Sequence, residues 1–322
     1  MPRHFLDLFD VSAEEARALL ERAKALKREG RGGDRPAFLA GRTLGLLFEK
    51  PSLRTRVSFE AAIAQLGGTA IFLPGKDVGL GVRESVADFA RVLSQYVDAL
   101  AVRTYAQSIV EELARHATIP VINALSDWAH PCQAMADLLT IDEELGGTEG
   151  ARVAFIGDGN NVAMSLAVAC ARLGAEFTLA CPPGYDFPAA FRRRFAEEFP
   201  GVGLPTHHDP AAAARGADVL YTDVWASMGQ EAEADARRAV FAPYQVDERL
   251  MDYARPGAVL LHCLPAHRGE EVSAEVLDGP RSRVIPQAAN RLHVQKALLL
   301  WLLGEGTEAA PSPIWSEAAS TS

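Results

Sequence analysis

The chain has 322 residues, 48% of them apolar and 23% charged, with a formal net charge of −10 at pH 7. That length suggests two domains, and the composition is that of a soluble globular protein. The acidic balance argues against a nucleic-acid partner, and the absence of a membrane-length apolar run argues against a membrane one.

The residues from Met1 to Asp7 carry no apolar leader segment. Ser12 and Glu15 form a capping box for a first helix, on which Leu19, Leu20, Ala23 and Leu26 recur at helical spacing. The apolar run 43–48 reads as a buried strand. After a turn at Pro51, Phe59, Ala62, Ile63 and Leu66 mark one face of a helix that stops at Gly67-Gly68. Further strands are expected over 69–73, 98–103 and 119–124, and helices over 84–97, 109–116 and 132–145. Gly146-Gly147 ends the last of these and marks a domain boundary. The pattern then restarts, with strands over 151–157, 176–180, 218–222, 258–262 and 283–286. Helices are expected over 163–173, 189–198, 210–215 and 290–303.

Strands separated by helices imply parallel sheets with right-handed crossovers. The expected fold class is α/β: two doubly wound parallel-sheet domains over 1–147 and 148–288. A C-terminal helix over 289–305 returns to the first domain, and a disordered tail occupies 306–322. In such folds the active site lies at the carboxyl ends of strands. Cys132, Cys170, Cys181 and Cys263 show no C-x-x-C spacing, so neither a disulfide framework nor a zinc site is expected, and a reducing, cytoplasmic compartment is.

Ser52, Leu53, Arg54 and Thr55 sit where a strand hands over to a helix. Free backbone N–H groups and the helix dipole favour an anion there, and arginine matches a phosphate with forked hydrogen bonds. Taken alone, an N-cap serine before two solvated arginines reads equally well. Arg103 ends an otherwise apolar strand, so its charge must be paired or face a ligand. His130 and Pro131 open a helix, with Gln133 in its first turn; histidine and glutamine can both donate to a carbonyl or phosphoryl oxygen.

Gly157-Asp158-Gly159-Asn160-Asn161 follows a strand and suggests a dinucleotide turn. Val162 stands where the third glycine belongs, and no acidic residue ends the next strand. It reads better as a polar close-approach turn whose Asn161 can bind a small polar ligand. Asp223 follows the next buried strand and is well placed for an ammonium group. Cys263 is expected exposed at a sheet edge, where cations tune a thiolate; a buried inert cysteine is the commoner outcome. Leu264-Pro265 can form a cis bond that turns a carbonyl into the cleft. Arg291 is expected to begin the last helix and reach back to the first domain.

Together these motifs resemble the carbamoyltransferases, and within that family the ornithine branch. The resemblance rests on Ser52-Leu53-Arg54-Thr55-Arg56, His130-Pro131-Cys132-Gln133, the loop from Asp223 through Trp225 and Ser227-Met228 to Gly229, and His262-Cys263-Leu264-Pro265. It covers nearly the whole chain. It implies carbamoyl phosphate binding by Ser52, Leu53, Arg54, Thr55, Arg103, His130, Gln133, Cys263, Leu264 and Arg291. It implies ornithine binding by Asn161, Asp223, Ser227 and Met228. Among these, Arg103, His130, Asp223 and Cys263 are the implied catalytic residues. The implied reaction carbamoylates the side-chain amine of ornithine, without metal or cofactor, in a homotrimer or a multiple of trimers. Two departures stand out. Leu53 replaces the family's usual threonine, and no glutamine occurs in Asp77-Val78-Gly79-Leu80-Gly81, where many bacterial members offer one to a neighbouring subunit. Rival readings are a carbamoyltransferase for aspartate, putrescine or an acylated ornithine, a nucleotide-dependent oxidoreductase, and a catalytically inactive homologue.

Overall fold

The computed structural model describes residues 2–30, 36–81, 83–226 and 233–304. Among them the chain folds around two parallel sheets, one of four strands and one of five. The first half runs α1 (Ala13–Glu29), β1 (Thr43–Phe48), α2 (Leu53–Gln65), β2 (Thr69–Pro74), α3 (Gly75–Val78), α4 (Val86–Leu93), β3 (Ala99–Arg103), α5 (Gln107–His116), β4 (Val121–Leu125) and α6 (Pro131–Leu145). The second half runs β5 (Arg152–Ile156), α7 (Asn161–Leu173), β6 (Glu176–Ala180), α8 (Ala189–Glu198), β7 (Thr206–His207), α9 (Pro210–Ala214), β8 (Val219–Thr222), α10 (Ala234–Phe241), α11 (Glu248–Met251), β9 (Val259–His262), α12 (Ala274–Leu277) and α13 (Val284–Leu303). The sheet orders are β2-β1-β3-β4 and β7-β6-β5-β8-β9, with every pairing parallel.

The central strands are apolar because helices cover both faces, which is the usual requirement of a parallel sheet. Leu44, Leu46, Leu47 and Phe48 of β1 are all buried. One core cluster runs through both halves, joining Phe59, Leu138 and Leu139 of the first to Phe155, Leu166 and Tyr221 of the second. Each fully buried leucine or phenylalanine contributes about 2 kcal/mol, so this shared core ties the two sheets together. α13 completes it by packing on α1, α2 and α6.

The expected first helix is present with its capping box. The expected strand over 283–286 does not form. Val284-Ile285-Pro286 reads as extended, yet α13 begins at Val284. A helix needs no intrahelical N–H donor in its first turn, so Pro286 is tolerated there. The segment meets the sheet edge in a single isolated bridge, Ser282 beside Leu260, with the Leu260 N–H donating to the Arg281 carbonyl and the Arg283 N–H to the Leu260 carbonyl, each at 2.9 Å. Arg291 therefore lies inside the helix instead of at its start. The helix expected over 84–97 is shorter, capped by Ser85 and ending at Leu93. The strand expected over 119–124 begins after Pro120. α3, α10, α11, α12 and β7 were not anticipated, being mostly too short to display a period. The tail expected to be disordered lies outside the described residues.

Candidate active site

Strand ends from both sheets open on one cavity of about 360 Å³, within the usual size of a small-ligand site. Every described residue to which the resemblance gives a binding role lines it: Ser52, Leu53, Arg54, Thr55, Arg103, His130, Gln133, Asn161, Asp223, Cys263, Leu264 and Arg291. Ser227 and Met228 lie outside the described residues.

The first sheet supplies the cationic side. Ser52 caps α2, its hydroxyl accepting from the Thr55 N–H at 3.3 Å. Leu53 and Arg54 are exposed at this helix start, and Leu53 is 77% so. Its apolar side chain therefore leaves only its backbone to serve a ligand. Register sets Phe48 beside Arg103 in the neighbouring strand, which brings that guanidinium to the same opening. Burial, then the charges of Arg291 and Arg54, pull Arg103 down to about 10, so it stays charged at neutral pH. From α13, Arg291 reaches back as expected: it donates to Gln133 Oε1 and, at 2.9 Å, to Thr55 Oγ1.

His130 is the N-cap residue of α6, with Pro131 at the first helical position. Its backbone N–H donates to Ser165 Oγ at 2.8 Å, so α7 of the second half anchors it. Its Nδ1 has no partner among the described residues. Burial, helped by Arg291 and Arg103, pulls its pKa well below the usual histidine value. A neutral imidazole, able to donate one hydrogen bond, is what this setting selects.

The second sheet supplies the acidic side. Register pairs Thr222 with His262, so the residues that follow each strand, Asp223 and Cys263, meet. The Cys263 thiol donates to Asp223 Oδ1 at 3.0 Å. This corrects the expectation of an exposed thiolate: Cys263 is half-buried, and burial followed by the Asp223 charge pushes its thiol well above the usual cysteine value. Asp223 also accepts from Asn160 Nδ2 at 3.1 Å. Asn161 lines the cavity but gives its own amide to the Ser126 carbonyl at 2.6 Å, tying the two halves. Leu264 has φ of +57°, a conformation seldom adopted by side chains of this kind and often found at functional sites, and its bond to Pro265 is cis. The Leu264 N–H donates to His262 Nδ1 at 2.8 Å, while His262 Nε2 faces Glu271 at 3.1 Å. Asp223, His262 and Cys263 could together approach a metal ion, but both ring nitrogens of His262 are already occupied by these contacts.

The glycines of the 157–161 turn serve packing. A Cβ on Gly159 would stand 2.7 Å from the Phe187 backbone nitrogen, so the turn can approach that segment only as glycine. Several contributors were not singled out in the sequence. Lys50 lines the cavity and lies over the Tyr105 ring at 4.4 Å; its position just before Pro51 was the available signal. Asp137 stands one turn after Gln133 on α6. Arg237, on the unanticipated α10, is buried and joins the Trp225 carbonyl to the Asp158 carboxylate.

The family model described as the carbamoyl-P binding domain of aspartate/ornithine carbamoyltransferase matches residues 3–143, and the one described as its Asp/Orn binding domain matches 149–302. An ornithine carbamoyltransferase from Syntrophus aciditrophicus is 50% identical over 299 residues, spanning 93% of this chain and 99% of the relative. The ornithine carbamoyltransferase of Bacillus subtilis is 53% identical over 307 residues, spanning 94% of this chain and 95% of its own. The solved structure of ornithine carbamoyltransferase from Pyrococcus furiosus superposes with a TM-score of 0.90 at 50% identity, covering 94% of this chain and 97% of that one.

Proposed function

The chain belongs to the aspartate/ornithine carbamoyltransferase family, and we propose that it transfers the carbamoyl group of carbamoyl phosphate to the side-chain amine of L-ornithine, giving L-citrulline and phosphate. The observation that carries this reading is the pairing of two opposite chemistries in one cavity. Arg54, Arg103, Arg291 and the start of α2 offer an anion site, while Asp223 and the Cys263 thiol offer a place for an amino group.

In this reading the phosphate group of carbamoyl phosphate sits at the α2 N-terminus. Ser52 and Leu53 would provide N–H groups there, and Arg54 a forked guanidinium. Arg103, His130 and Thr55 would donate to the carbamoyl oxygen and stabilise the negative charge that grows on it in the transition state. Gln133 and Arg291 would close the same end. Asn161, Asp223, Ser227 and Met228 would hold ornithine, with Cys263 and the Leu264 carbonyl between the two ligands.

The side-chain amine must be neutral to attack, and a lysine-like amine titrates at about 10.4. Asp223 and the Cys263 thiol would hold and orient the amine, which attacks once it has lost its proton. Its nitrogen bonds to the carbamoyl carbon, the carbon–oxygen bond to phosphate breaks, and the departing phosphate takes the amine proton. Much of the acceleration would come from holding two ligands in line.

The same reading assigns residues 1–147 to carbamoyl phosphate and 148–288 to ornithine, with α13 folding back on the first. It places the reaction in arginine biosynthesis and in the cytoplasm, which four free thiols support. A homotrimer is part of it, supported by the exposed apolar side chains Leu53 and Val57 on α2 and Ile71 on β2. The test is product formation by purified protein from carbamoyl phosphate with L-ornithine, beside aspartate, putrescine and N-acetylornithine. Citrulline from ornithine alone is expected; turnover only with another amine would keep the anion site and remove the ornithine assignment.

A further inference from the structure

Asp137 lies one turn after Gln133 on α6 and is fully buried. It does not line the cavity. Its Oδ1 accepts from Gln133 Nε2 at 2.7 Å and from Gln287 Nε2 at 2.7 Å, and Gln287 Nε2 also reaches the Tyr221 hydroxyl at 3.2 Å. Its Oδ2 has no partner among the described residues.

A glutamine amide has a donating end and an accepting end, whereas an ionised carboxylate only accepts. The carboxylate of Asp137 therefore calls the NH₂ of Gln133 toward itself and leaves the Gln133 carbonyl facing Arg291. That is the only useful orientation, because a guanidinium has donors and no acceptor. Arg291 passes the constraint on to Thr55 Oγ1 at 2.9 Å. A chain of four side chains thus runs from the core of α6 through α13 to the anion-binding start of α2.

We propose that Asp137 is a positioning residue for the anion end of the cavity: it fixes the amide orientation of Gln133, and through it the aim of Arg291. The proposal rests on the reading in which Gln133 and Arg291 hold carbamoyl phosphate. A buried carboxylate is an expensive way to fill this space, since burial penalises its charge and an apolar residue of similar volume is often neutral or stabilising at such positions. Burial pushes Asp137 up to about 6, so it is still ionised at pH 7.5. The titratable groups that face it are Arg291 from α13, Tyr221 from β8, Cys170 from α7 and Cys263 after β9.

The experiment compares the unmodified protein with Asp137→Leu, which removes the acceptor, and Asp137→Asn, which retains one. For each, KM for both substrates is measured, together with calorimetric affinity for inorganic phosphate and the melting temperature. The Leu variant is expected to weaken carbamoyl phosphate and phosphate binding about tenfold to a hundredfold, the value of a hydrogen bond to a charged group, with KM for ornithine within about twofold. The Asn variant is expected to stay within about threefold of the unmodified protein. A Leu variant that binds both ligands normally overturns the proposal. So does an equal rise in both KM values, or an Asn variant as impaired as Leu. Where Leu does not fold, Asp137→Ala takes its place, and loss of the fold in both makes the carboxylate purely structural and ends the proposal. Failure of the unmodified protein to form citrulline would instead remove the functional reading, and the phosphate affinities would still decide the role of Asp137.

Discussion

The Cys263 thiol lies 3.0 Å from Asp223 Oδ1, because the β8–β9 register leaves these two residues side by side beyond Thr222 and His262. The contact makes each residue a statement about the other. Burial raises the Cys263 pKa, and Asp223 raises it further by its charge and by accepting the S–H, so the thiol is a neutral donor across the physiological range.

Alkylation tests this pairing. Iodoacetamide needs the thiolate, so Cys263 should react slowly at pH 8. Asp223→Asn removes the negative charge and should lower the thiol pKa, speeding alkylation by up to about tenfold per pKa unit. Mass spectrometry of the modified peptide gives the rate. Slower or unchanged labelling in the Asn variant would contradict the pairing.

Arg237 holds the start of the Asp223 loop from behind. It donates to the Trp225 carbonyl, pairs with Asp158, and lies 4.9 Å over the Tyr185 ring. Arg237→Ala should lower stability by about 3 kcal/mol by leaving a mostly buried carboxylate unpaired. It should also raise KM for ornithine while leaving KM for carbamoyl phosphate nearly unchanged. The double variant Asp158→Asn/Arg237→Ala should regain part of the stability but not the ornithine affinity. Chemical denaturation and steady-state kinetics check both halves.

His130 should carry a large part of the rate. Removing a donor to a developing oxyanion costs about a hundredfold to a thousandfold in kcat, and that range is expected for His130→Ala. Its folded pKa is depressed below the unfolded value near 6.5. Its contribution to stability is thus present above pH 6.5 and lost as pH falls below it, when the unfolded chain binds a proton that the fold resists. The melting temperature of the unmodified protein should fall from pH 7.5 to pH 5.5 by more than that of His130→Asn.

Asp7 should behave in the opposite sense. Burial lifts its pKa from 3.8 to about 6, against the charge of Arg194. Its stabilising contribution is complete below 3.8 and lost as pH rises through about 6. It caps the first short turn and accepts from Trp128 Nε1 at 3.1 Å, just upstream of His130. The stability difference between the unmodified protein and Asp7→Asn should therefore grow in favour of Asp7 between pH 7.5 and pH 5. A constant difference would contradict this.

The parts of the site written as contiguous motifs were legible in the sequence. Ser52 to Thr55, His130, Gln133, Asp223 and Cys263 each follow a strand end or open a helix, and parallel sheets bring such ends together. What the motifs did not reveal is pairing across the chain. Nothing local to Cys263 shows that it gives its proton to Asp223, because that depends on register between β8 and β9. Asp137 and Arg237 look like an ordinary helix acid and a surface arginine until burial is known. The expected strand over 283–286 failed for a tertiary reason: Val284-Ile285-Pro286 has the composition of a strand edge, and the packing of α13 on α1, α2 and α6 makes it a helix start.

The most direct measurement is steady-state citrulline formation by the unmodified protein, Arg54→Ala and Asp223→Asn, varying carbamoyl phosphate and L-ornithine in turn. Turnover by the unmodified protein is expected, with a rise in KM for carbamoyl phosphate confined to Arg54→Ala and a loss of kcat/KM for ornithine confined to Asp223→Asn. No citrulline from the unmodified protein, or a loss of carbamoyl phosphate affinity on changing Asp223 alone, would contradict the proposed function.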